Sequence, residues 1–129
     1  VMMRELLKSS ISKEFQARIQ FVTPVQLGQV VQVRLMLHHP MITGYDRDLQ
    51  GRVIPRQVIT ELVCRYGQEL VMRVQPSSSI AANPLFEMGL RLTKWARFEA
   101  QWVDDQGQRG QLVHDLGPQG PWQSTVGEH

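Results

Sequence analysis

The sequence predicts an all-β protein, two antiparallel sheets packed as a sandwich, and three observations predict it. Apolar and polar residues alternate with period two along most of the chain, as in strands that bury one face. Turn-forming Gly, Pro, Asp and Asn recur between these stretches at short, regular intervals. The 129 residues suffice for one domain, and three tryptophans and four phenylalanines can fill its core.

The first row is Phe15, Ala17, Ile19 and Phe21, set against Gln16, Arg18 and Gln20. Thr23-Pro24 and Gly28 punctuate, and Val31, Val33, Leu35 and Leu37 form a second row. After a long connection, Val58, Thr60, Leu62, Cys64 and Tyr66 are expected to share a face. Gly67-Gln68 reads as a tight turn into ELVMRV, which Pro76 and three serines end. Phe86, Met88, Leu90 and Leu92 follow, then Ala96, Phe98, Ala100 and Trp102. Asp104 to Gly107 is a hairpin loop with Gly107 suited to a left-handed position, and a last strand runs through Leu112 and His114. About seven short strands with almost no helix fit an immunoglobulin-like antiparallel β-sandwich, with a closed barrel as the alternative. The sandwich is expected over 15–116. Residues 1–14 read as an N-terminal extension or fusion junction, and 117–129, rich in Gly and Pro, as a flexible tail.

Composition excludes several functions. Lys and Arg number 14 against 12 Asp and Glu, and the basic residues are scattered singly, so no cationic stripe exists to track a nucleic-acid backbone. No apolar run approaches a membrane span, and VMMRELLKSSIS lacks the pattern of a secretory signal. One cysteine permits no intrachain disulfide.

Each candidate chemistry has a plainer explanation. Cys64 sits mid-strand on the row that faces the core, where a thiol acts as a small hydrophobe rather than a nucleophile. His38, His39 and Met41 carry the imidazole and thioether donors that suit copper, which gives a second reading as a small periplasmic copper-binding sandwich. That segment alone supplies too few ligands. No G-x-S-x-G turn surrounds Ser77 to Ser79, and Asp104-Asp105 lie in a hairpin where aspartate serves turn geometry. No catalytic residue and no cofactor site is expected.

The connection HHPMITGYDRDLQGRVIPR, His38 to Arg56, reads either as a crossing between sheets or, as its length favours, as an ordered surface that meets another molecule. Pro40 and Pro55 restrict its ends, Gly44 and Gly51 permit turns, and Arg47, Arg52 and Arg56 offer planar donors. Met41 and Ile42 are expected to fill a pocket of a protein partner.

The run HHPMITGYDRDLQGRVIPRQVI resembles a segment of the SoxZ family of sulfur-oxidation carrier subunits. VCRYGQELV, SIAANPLFEMGLRL and ARFEAQWVDDQGQ continue the resemblance in the family's order, over about Val22 to Val113. In this chain the arginine of the first pattern stands one place later, at Arg47, between Asp46 and Asp48. The resemblance implies an immunoglobulin-like subunit without an active site of its own, paired with a SoxY-like subunit or domain. That partner's glycine-flanked cysteine holds sulfur intermediates while other pathway enzymes process them. It also implies a periplasmic location by co-export with the partner. The residues expected at the partner interface are His39, Pro40, Met41, Ile42, Arg47, Arg56, Asn83 and Pro84. Exposed sandwich faces are expected to self-associate when the partner is missing.

Overall fold

A computed structural model describes residues 15–45, 47–76 and 81–127. Eight strands form two four-stranded antiparallel sheets: β1 (Phe15–Phe21), β2 (Val30–Leu37), β3 (Ile59–Tyr66), β4 (Glu69–Val74), β5 (Leu85–Arg91), β6 (Arg97–Asp104), β7 (Arg109–Asp115) and β8 (Gln123–Gly127). One sheet has the order β5-β2-β1-β8 and the other β4-β3-β6-β7. The all-β sandwich that the alternation predicts is the fold observed.

The period-two rows become the core. Ala17, Ile19 and Phe21 of β1 and Val31, Val33, Leu35 and Leu37 of β2 face Leu62, Cys64 and Tyr66 of β3 and Phe98, Ala100 and Trp102 of β6. Burying each large aliphatic or aromatic side chain contributes about 1.5–3 kcal/mol, so these rows hold the sheets together. Phe21 meets Phe98 edge-on across the layers, with ring centroids 5.7 Å apart. Tyr66 is buried at the end of β3, where its hydroxyl accepts from the Lys94 amide at 2.9 Å and donates to the Lys94 carbonyl, fixing the approach to β6. Turn chemistry follows the sequence, with Gly67 and Gly107 at φ 63° and 83° where the hairpins reverse.

Two expectations change. Thr60 does not share the buried face of β3: a register shift between Ile59 and Glu61 buries Ile59 and turns Thr60 outward, its hydroxyl donating to the Val103 carbonyl. The segment 117–129, read as a loose tail, holds a strand over Gln123–Gly127 paired with β1, which makes eight strands among the described residues. Polar contacts anchor it: His114 of β7 lies 2.9 Å from the Ser124 hydroxyl and 2.7 Å from the Pro121 carbonyl, and the Phe21 amide donates to the Trp122 carbonyl. Residues 1–14, read as an extension or junction, lie outside the described residues.

Candidate functional site

The long connection between β2 and β3 leaves the sandwich at the end that also carries the β6–β7 turn. Its entry is clamped by residues 81–84. The Leu37 amide donates to the Pro84 carbonyl, the His39 amide to Asn83 Oδ1 at 3.0 Å, and the Asn83 amide to the His39 carbonyl at 2.7 Å. Asn83 adopts φ 52°, a left-handed conformation that asparagine tolerates better than most residues. Met41, at φ 50°, turns its side chain back into the core, where it is only 5% exposed and its sulfur accepts from the Ile59 amide at 3.4 Å.

Beyond Met41 the chain forms a short arm. Ile42 pairs with Gln57 and Arg47 with Val53, each as an isolated antiparallel bridge. At the far end Asp48 accepts from the amides of Gln50 and Arg52 and from the Arg52 guanidinium, while Arg47 donates to the Gly51 carbonyl. Such side-chain-to-backbone bonds order a turn without a core beneath it. Three apolar residues of this arm point outward, Tyr45 at 89% exposed, Leu49 fully exposed and Val53 about half exposed, while Ile42 and Ile54 are half-buried.

The arm is fastened by one buried carboxylate. Asp104, at the end of β6, accepts from His39 Nε2 at 3.1 Å and from Gln57 Nε2 at 3.0 Å, both at Oδ2. Its Oδ1 accepts from the amides of Gln106 and Gln108, which closes the β6–β7 turn. The Met41 amide donates to His39 Nδ1 at 3.0 Å, so the ring proton sits on Nε2 and points at Asp104. Burial pushes the Asp104 carboxyl up. The bonds from Gln57, His39, Gln108 and Gln106 more than offset that, and hold it below the usual carboxylate range. Beside it, Asp105 accepts from the Val58 amide and pairs with Arg56 at 3.3 Å, and the Gln106 side chain donates to the Arg56 carbonyl.

The expected interface residues therefore separate into two groups. His39, Met41 and Pro84 are buried, so Met41 fills a pocket of its own sandwich rather than one of a partner. Pro40, Arg47, Arg56 and Asn83 are exposed and Ile42 is half-buried. Sequence reasoning missed Asp104 and Gln57 as fasteners and Tyr45, Leu49 and Val53 as the exposed apolar set. The signal for the latter was present: Tyr45 and Leu49 are flanked by Gly, Asp or Gln and Val53 follows Arg52, rather than being set in an apolar row.

The copper reading does not fit this geometry. Both ring nitrogens of His39 are engaged, one to Asp104 and one to the Met41 amide, and the Met41 sulfur faces the Ile59 amide inside the core. Two of its three donors are committed to the fold. Cys64 is fully buried and its thiol is pushed up to about 12 by burial, so it carries no thiolate near neutrality.

The family model of sulphur oxidation protein SoxZ matches residues 19–113, which run from within β1 into β7 and include the arm and the β6–β7 turn. The chain belongs to the SoxZ family. No individually curated protein matches it. The SoxZ match contains every residue of the Asp104 fastening, from His39 to Gln108, and all of the arm. It stops before β8, which completes the sheet from outside the matched segment.

Proposed function

We propose that this SoxZ chain is the non-catalytic subunit of a SoxYZ-type carrier. It supports a SoxY-like partner that holds sulfur intermediates covalently during thiosulfate or sulfur oxidation, in the periplasm, and offers a surface to the enzymes that process them. A covalent carrier needs a thiolate that reaches several active sites. The single thiol of this chain is walled between the sheets and protonated, which supports a division of labour in which the cargo rides on the partner.

One observation carries the partner reading. The arm is tied to the core at its base and yet turns Tyr45, Leu49 and Val53 into solvent. Ordered apolar side chains on a pre-shaped loop lose little conformational freedom on binding, and aromatic and aliphatic anchors of this kind dominate interface energetics. The test is titration calorimetry with a SoxY-like subunit. Tyr45→Ala combined with Leu49→Asp is expected to weaken binding at least about tenfold while leaving the fold intact. Unchanged affinity would remove the arm from the interface.

A further inference from the structure

We infer that the segment from Ile42 to Gln57 is a separately opening arm, and that Asp104 is the proton-sensitive latch holding it against the sandwich. Among the described residues, backbone pairing within the arm amounts to the two isolated bridges, far short of a ladder that persists unaided. The arm is joined to the sandwich by side-chain bonds that converge on a single turn. Gln57 donates to Asp104 Oδ2 and to Gln108 Oε1, Gln106 donates to the Arg56 carbonyl, and Arg56 pairs with Asp105. The natural hinge lies just past Met41, whose side chain stays in the core while its own backbone and that of Gly44 take left-handed conformations. Elements fastened by few bonds and little apolar burial open ahead of the core strands.

The latch is proton-sensitive because of what surrounds Asp104. Every group aimed at its two oxygens is a donor: His39 Nε2 and Gln57 Nε2 at one, the Gln106 and Gln108 amides at the other. A proton on Oδ2 would oppose the two donors aimed at it, leaving that oxygen able to accept from only one of them. His39 cannot answer by moving its ring proton, since Nδ1 already accepts from the Met41 amide. Among the described residues, the other charged or titratable groups placed against the latch are His39 just past β2, Asp105 next along the turn, and Arg56 on the arm's return. Asp105 holds the Val58 amide and Arg56, so both aspartates of the turn tie down the same strap. That opening governs access of a carrier partner rests on the reading above, whereas the latch itself does not.

The experiment is residue-resolved hydrogen exchange on the full chain, corrected for intrinsic rates. At pH 7 the Ile42 and Gln57 amides, bonded to each other's carbonyls across the arm's base, should exchange faster than those of β3 and β6. In Asp104→Asn they should accelerate at least about tenfold further while β3 and β6 stay protected. Lowering the wild-type protein to pH 3 should reproduce that acceleration. Gln57→Ala, which cuts the arm side and leaves the turn's own bonds in place, serves if Asp104→Asn fails to fold. One common rate for arm, β3 and β6 amides, or arm rates indifferent to both substitution and pH, would overturn the latch. Faster arm exchange with unaltered carrier affinity would uphold the latch and count against the partner reading.

Discussion

The indole of Trp102 occupies the space that a side chain at position 110 would need. Gly110 lies opposite Trp102 in the β6–β7 ladder, and a Cβ built on it would overlap the indole ring atoms. A glycine in a strand interior weakens backbone pairing, and an aromatic laid across it restores the lost packing. Trp102 is 8% exposed in this position, so the glycine is what lets the largest side chain of β6 close the end of the core.

Gly110→Ala should therefore displace Trp102 rather than merely fill a gap. Overpacking of this kind costs about 1–3 kcal/mol. Urea unfolding followed by circular dichroism should show a lowered midpoint, and the native tryptophan emission should shift to the red as the indole gains solvent. A variant with wild-type midpoint and emission would mean that the ring has another place to lie.

Cys64 should resist modification as long as the sheets stay packed. Its thiol titrates at about 12 in the folded protein, raised by burial from the ordinary 9.0. Labelling by a maleimide at pH 7 should therefore proceed only through unfolding, and accelerate steeply with denaturant. The raised pKa also fixes a sign. The folded state retains a proton that the unfolded state has lost above pH 9, so stability falls as pH rises from the ordinary thiol range toward 12. Cys64→Ala should remove that part of the alkaline loss while leaving carrier binding unchanged. Rapid stoichiometric labelling of the native protein would contradict the assignment of Cys64 to the core.

The strands were legible because side-chain alternation is a local property that a row such as Val31, Val33, Leu35 and Leu37 prints directly into the sequence. The inserted residue at Ile59–Glu61 was not, because a bulge shifts the period without any required residue type. β8 escaped for a different reason. Its half-buried residues Ser124 and Val126 form no apolar row, and its place depends on backbone pairing with β1 and on His114 of another sheet. The same applies to the functional surface. The arm's length and composition marked it as more than a connection, yet His39 and Asp104 lie 65 positions apart, and nothing local distinguishes an aspartate that closes a turn from one that also holds a distant histidine. Met41 looked like an anchor for a partner because a methionine in a polar loop has no visible core to join. The left-handed backbone that turns it inward is a property of the folded chain.

Acid stability should report on Asp104. Its carboxyl is held below the usual range in the folded protein, where four donors favour the ionised form over the burial that opposes it. A carboxylate with a depressed folded pKa contributes stability that is fully present above its unfolded value, ordinarily 3.8, and is lost as pH falls through the lower folded value. Denaturant unfolding of the wild-type protein should thus show a declining midpoint as pH drops below about 4. Asp104→Asn should lower stability by about 1–3 kcal/mol at pH 7, because the asparagine amide would face the His39 and Gln57 donors while its oxygen can satisfy only one side of the site. The difference between the two proteins should then narrow as the wild type is acidified, since protonated aspartic acid presents the same mismatch that asparagine presents at every pH. A gap that stays constant from pH 7 to pH 3 would place the ionised carboxylate's contribution elsewhere.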